Sequence, residues 1–163
     1  MRTTKENAQP STIWFVSPAR HSSLTYQKKH QYNTMKINLA VSRETMENIF
    51  VTALEGGSNY WYYLSKEAVI TVRSAVPKSE EPYLSVAVFK AVYDHDVEVP
   101  INDIENPSEV LGVLRKSELQ ERINKMIKDG HGDAIFSEIK EEGDANTSDI
   151  IFQYLVMNEI TFG

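Results

Sequence analysis

Apolar residues recur along this chain with two periods, and the switches between them divide it into elements. From Lys36 to Val41 the residues Ile37, Leu39 and Val41 alternate with their neighbours and predict a short strand. Met46, Ile49, Phe50, Ala53 and Leu54 then fall on one face of a helix. Ser42 stands at its N-cap, and Glu44 and Glu47 sit in the first turns, where the helix dipole favours acids. Gly56-Gly57 predicts its end, because glycine accepts the left-handed conformation at a helix C-terminus. Residues 59–65 fit a short helix or a strand, and Val69 to Val72 is β-like. The strongest strand signal runs from Tyr83 to Tyr93. There Leu84, Val86, Val88, Lys90 and Val92 alternate with Ser85, Ala87, Phe89 and Ala91, and the apolar character of both sets predicts a central strand covered on both faces. Asp94-His95-Asp96 reads as a turn, Val97-Glu98-Val99 continues a hairpin, and Pro100 closes it.

From Ile101 onward the pattern reads as helical. Asn106-Pro107-Ser108 opens a short helix carrying Val110, Leu111 and Leu114. Ser117 caps the next helix, with Gln120 at capping-box spacing and Leu119, Ile123, Met126 and Ile127 on its apolar face. Asp129-Gly130-His131-Gly132 breaks it. A short helix buries Ala134, Ile135, Phe136 and Ile139, and Glu141-Glu142-Gly143-Asp144 is a solvated loop. Asn146-Thr147-Ser148-Asp149 starts a last helix with Ile150, Ile151, Tyr154, Leu155 and Met157 inside, and Ile160 to Gly163 ends as a short extended piece. The sum is an α+β fold: a small antiparallel sheet near 67–100 packed with about five helices and preceded by a basic N-terminal arm.

Charge sharpens the boundary. The net charge of −6 is the sum of a basic head, +4 over residues 1–34, and an acidic body, −10 over residues 35–163. The head is polar apart from Ile13-Trp14-Phe15-Val16. It reads as an arm, or as an extension upstream of a start at Met35, with residues 35–163 as one α+β domain. The acidic body argues against grip on a phosphate backbone, so no direct nucleic-acid contact is expected, and it favours basic partners. The absence of cysteine excludes a disulfide framework, a thiolate metal site and a Cys nucleophile, and fits a cytoplasmic protein. No apolar run reaches the roughly 18 residues that a membrane span needs.

Chemistry concentrates at two motifs. One is Glu55-Gly56-Gly57-Ser58-Asn59-Tyr60-Trp61; the other is Asp149 with Gln153, followed by Glu159-Ile160-Thr161-Phe162-Gly163. Together they resemble a family of small uncharacterised bacteriophage and prophage proteins. That family pairs an acidic-Gly-Gly-x-Asn-Tyr-Trp stretch with a C-terminal Asp-x-x-x-Gln…Gly-Glu-Ile-x-Phe/Tyr-Gly. Here Asn158 stands where the pattern has glycine. The resemblance covers residues 36–163 and implies a phage-type accessory protein, without implying a reaction.

An aromatic wall beside amides and carboxylates suits a flat polar ligand such as a nucleobase. The candidate binding residues are therefore Glu55, Asn59, Tyr60, Trp61, Gln153 and Glu159, with the aromatics stacking, the amides hydrogen-bonding and the carboxylates orienting. In the competing reading Asn59 and Gln153 satisfy backbone groups around the Gly-Gly turn, and the motifs hold the two ends of the fold together. Asp94-His95-Asp96 is a poor metal site, since adjacent strand residues point to opposite faces. The acidic run from Glu138 to Asp144 reads as a solvated face. No nucleophile elbow and no phosphate loop is present. The expectation is a non-enzymatic protein that binds a host protein or a small nucleotide-like ligand, with a host defence as the system it would counter, and with no cofactor and no metal. A structural homo-oligomer built through the arm 1–34 and the aromatic motif is the alternative, and a nucleotide-acting enzyme stands behind both.

Overall fold

The computed structural model describes residues 39–163. The arm 1–34 and the first residues of the expected 36–41 strand lie outside them. Six α-helices and a three-stranded antiparallel sheet make an α+β fold. The helices are α1 (Arg43–Thr52), α2 (Lys66–Ala75), α3 (Leu84–Tyr93), α4 (Lys116–Met126), α5 (Gly132–Ile139) and α6 (Ala145–Met157). The strands are β1 (Tyr62–Tyr63), β2 (Val99–Asp103) and β3 (Val110–Leu114), in spatial order β1-β2-β3.

The first helix forms as its pattern predicts. The Ser42 hydroxyl accepts the Thr45 amide at 3.0 Å, and Met46, Ile49, Phe50, Ala53 and Leu54 are all buried. Phe50 sits edge-on to Phe89 of α3 at 5.5 Å and to Phe152 of α6 at 5.7 Å, so α1 lies at the centre of the core. Residues 39–41 that precede it are irregular rather than β.

The largest departure from the sequence pattern is at residues 66–93. Val69 to Val72 lies in α2, and Leu84 to Tyr93 is the helix α3, not a central strand. A short run that is apolar on both faces of a strand is also apolar all round a helix, and periodicity alone does not separate the two. Ser85, Ala87, Val88, Phe89, Ala91 and Val92 are buried, which accounts for the missing polar face. Lys90 reaches the rim and pairs with Glu81 at 2.8 Å.

The sheet consequently lies later in the chain than expected. Val99 to Leu114 is a hairpin, with Val99 opposite Leu114 and Ile101 opposite Gly112, and a bulge follows Ile101. Pro100 sits inside β2 instead of closing a turn. Asn106-Pro107-Ser108 belongs to the hairpin loop, not to a helix start. The helix-like spacing of Val110, Leu111 and Leu114 is interrupted by Gly112, whose backbone lies against α6. A Cβ there would land inside the contact radius of the Val156 carbonyl oxygen. Ser117 is not the cap of α4. Arg115 holds that position, with its guanidinium between Glu98 and Glu118 at 3.1 Å from each. Phe136 and Ile139, expected inside, are exposed on α5.

The end of α1 also differs from expectation. It widens into a π-helical turn, Ala53–Gly57, in which the Ser58 amide reaches the Ala53 carbonyl at 2.8 Å. Neither Gly56 nor Gly57 takes a positive φ. Gly57 is needed for proximity instead, because a Cβ there would meet the Ala145 carbonyl oxygen at 2.5 Å.

These contacts set two glycines apart from a third. Gly112→Ala is expected to lower unfolding free energy by about 1–3 kcal/mol through overpacking of β3 against α6. Gly56→Ala, with open space at its Cβ, is expected to be neutral or to stabilise by up to about 1 kcal/mol. Urea unfolding of both variants checks this, and equal effects would contradict the close approach of β3 to α6.

Candidate functional site

The two motifs meet in space, 90 residues apart in sequence, around one carboxylate. Asp149 lies in the second turn of α6 and is 6% exposed. Its Oδ1 accepts the Ser58 hydroxyl at 2.6 Å and the Trp61 indole N–H at 2.7 Å. Its Oδ2 accepts the Tyr60 hydroxyl and the Gln153 amide, each at 2.9 Å. Four donors and no cation therefore surround this carboxylate among the described residues. A buried ionised carboxylate is tolerated only when its lone pairs are filled in this way.

Gln153 extends the network to the irregular C-terminal segment. Its carbonyl oxygen accepts the Thr161 and Phe162 amides at 2.9 and 2.8 Å, and its amide nitrogen also donates to the Phe162 carbonyl at 2.9 Å. This fixes the Phe162 ring parallel to Trp61, with centroids 5.4 Å apart and planes at 4°. The chain reverses into that position at Asn158, which takes φ 66° and ψ 18°. This is the left-handed position after a helix, which glycine fills best and asparagine tolerates. Arg122 donates to the Leu155 and Val156 carbonyls at 2.6 Å each and satisfies the end of α6.

The start of α6 is equally well tied. The Asp144 side chain accepts the Asn146 and Thr147 amides, and the Thr147 hydroxyl accepts the Asp144 amide at 2.7 Å, a capping box. The Glu138 carboxylate accepts the Thr147 and Ser148 hydroxyls. The two ends of the acidic run 138–144 therefore serve the N-terminus of α6, where negative charge is favoured by the positive end of the helix dipole.

The six candidate residues separate into three groups. Trp61 and Gln153 are 1% exposed and committed to the Asp149 network, and one Trp61 face is covered by Phe162. Asn59 and the ring of Tyr60 lie on the outside of the same loop, with the Tyr60 hydroxyl turned in to Asp149, and Tyr63 follows outward. Glu55 and Glu159 are exposed, and Glu159 belongs to the surroundings of Tyr154 rather than to those of Glu55. Gln153 does bond backbone groups, but those of residues 161–162 and not those of the Gly-Gly turn. Two residues central to the network, Ser58 and Asp149, are absent from the six. Their signal was present as a serine inside a glycine-aromatic motif and as an acid four residues before a glutamine.

Glu55 belongs to a separate cleft of about 180 Å³, lined by Leu54, Glu55, Tyr62, Leu64, Leu84 and Ser85. Ser85 donates its hydroxyl to Glu55 Oε1 at 2.6 Å. Tyr62 donates to the Leu54 carbonyl at 2.5 Å, a carbonyl inside the π-helical turn. Loss of solvent, and then the Glu55 charge, raise the Tyr62 phenol above its ordinary value. A second cavity of about 180 Å³ lies between α1 and α4, lined by Val41, Met46, Tyr93, Lys116, Leu119, Gln120 and Ile123, and it carries a lysine in place of an acid. Asp94, of the Asp94-His95-Asp96 turn, is paired with Arg43 at 2.7 Å, which holds its carboxyl below the usual range.

No protein-family model, no curated protein and no solved structure matches this chain.

Removing the Asp149 carboxylate strands the buried Trp61 and Gln153 donors, each at a cost of about 1–3 kcal/mol. Asp149→Ala is therefore expected to destabilise by about 3 kcal/mol or more in urea unfolding. A loss below 1 kcal/mol would mean that the two motifs are not joined through it.

Tyr60 gives a second check. Loss of solvent at its hydroxyl, and then the bond to Asp149, push its phenol from 10 up to about 12. The folded state thus holds this proton more tightly than the unfolded chain. Stability is unaffected below pH 10, falls as pH rises from about 10 to 12, and levels off above. The ultraviolet phenolate difference between wild type and Tyr60→Phe is expected to show one phenol titrating near pH 12. A midpoint near 10 would break the assigned bond.

Proposed function

We propose that this chain is a non-enzymatic, cytoplasmic accessory protein of the phage or prophage type, acting by binding a host protein. A host defence component is the target which that setting suggests. One observation carries the reading: a loop fixed from beneath by Asp149 presents aromatic side chains outward. Tyr60 is 49% exposed and Tyr63 40% exposed, and Ile104 of the adjoining chain is 42% exposed. The Ile104 backbone N–H donates to the Trp61 carbonyl at 2.9 Å, which ties it to the same stretch. Tyrosines are enriched at protein interfaces, where they supply large contact area at low entropic cost. Pre-ordering the loop lowers the cost of binding further.

A nucleotide-like ligand has less support. The Trp61 ring is already stacked and buried, and the Glu55 cleft is smaller than the roughly 300–1,000 Å³ of sites that engulf such ligands. No helix among the described residues is long and apolar enough to cross a membrane.

The test is native mass spectrometry of the purified full chain beside a denatured sample, for wild type and Tyr63→Ser. Tyr63 makes no bond to the Asp149 network, so its removal spares the fold. A bound protein that is lost at least ten-fold in Tyr63→Ser is the expected result. Extra mass from a small molecule would overturn the reading in favour of a ligand. A clean multimer of this chain would favour the assembly alternative.

A further inference from the structure

The Glu55 cleft has a composition that the aromatic loop does not explain. Its walls are the apolar side chains of Leu54, Leu64 and Leu84, and its polar groups are one carboxylate, one hydroxyl and one phenol. The hydroxyl of Ser85 occupies Glu55 Oε1, and the phenol of Tyr62 is turned to the Leu54 carbonyl. Among the described residues no hydrogen bond occupies Glu55 Oε2. Among the described residues no lysine or arginine lies within ion-pair distance of Glu55. The cleft is also built on an irregularity. Leu54 and Glu55 sit in the π-helical turn, a local widening that is found often at functional sites.

We propose that this cleft receives a lysine side chain from a basic partner protein. The aliphatic stem lies along Leu54, Leu64 and Leu84, and the ammonium pairs with Glu55. The inference rests on the protein-binding reading above and specifies the chemistry of the partner. Three observations fit it. The volume of about 180 Å³ is close to the roughly 150 Å³ that holds benzene, a molecule about as large as a lysine side chain. The single free carboxylate oxygen suits a point ammonium better than a guanidinium fork, which prefers two parallel bonds. Residues 35–163 carry a net charge of −10, which favours a basic partner over an acidic one. The other cavity of equal size presents Lys116 and would repel the same group.

The experiment titrates the nitrogen-15-labelled full chain with n-pentylammonium chloride, and in parallel with n-pentanol as its neutral counterpart. Saturable amide shifts at Leu54, Glu55, Leu64 and Ser85 are expected with the amine. Binding at least ten-fold weaker is expected with the alcohol, and for the amine with Glu55→Gln. Equal binding of amine and alcohol, or no shift at these residues, overturns the proposal. The two readings fail separately. A partner protein that binds Glu55→Gln as tightly as wild type removes the lysine site and leaves the aromatic surface standing. Selective amine binding in a protein that captures no partner removes the protein-binding reading and retains the cleft.

Discussion

A carboxylate without a counter-cation holds the two ends of the described chain together. Placing Asp149 in the interior is costly, because an ionised acid taken out of water loses several kcal/mol of hydration. The cost is met only by ordering four donors around it: the Ser58 hydroxyl, the Trp61 indole, the Tyr60 phenol and the Gln153 amide. Each donor belongs to a segment that would otherwise be a loop or a helix surface. Their convergence fixes the 58–61 loop against α6. Through Gln153 the same network fixes residues 161–162, and Phe162 then covers Trp61. Polar satisfaction and aromatic packing therefore share the same residues, Trp61 and the chain around Phe162.

The close approaches elsewhere serve the same arrangement. Gly57 lets the π-helical turn touch the start of α6, and Gly112 lets β3 touch its end. Helix α6 is clamped at both termini, by Asp144, Thr147 and Glu138 at one and by Arg122 and Asn158 at the other. A helix so fully tied presents Asp149 at a defined depth and orientation. The outward face of the loop above it is held by the same bonds, with Tyr60 and Tyr63 exposed on it. The Glu55 cleft takes two of its lining residues, Leu54 and Glu55, from the widened end of α1.

Where the pattern of residues misled, the reason is physical. Leu84 to Tyr93 carries apolar groups at nearly every position, and such a run satisfies period two and period 3.6 alike. Burial between neighbouring helices, a fact of the whole fold, selected the helix. Val110, Leu111 and Leu114 carry a helical spacing over too few residues to outweigh Gly112 and the turn residues Asn106 and Pro107. The β2–β3 pairing that overrode it is a contact between segments and leaves no local period. Gly56-Gly57 was legible as a special place, but its reason, the approach of Ala145, is tertiary.

Sequence alone determined the α+β class, the face and N-cap of α1, the apolar faces of α4 and α6, and the two motifs that matter. Those features depend on near neighbours along the chain, and near neighbours are what a sequence displays. Tertiary structure alone decided that the motifs are one network, that Asp149 and Ser58 are its centre, and that Trp61 faces inward while Tyr60 faces outward. It also separated Glu55 and Glu159 from that network. These outcomes depend on which donors reach a buried charge across 90 residues of chain, a matter of distance in space that no spacing in sequence encodes.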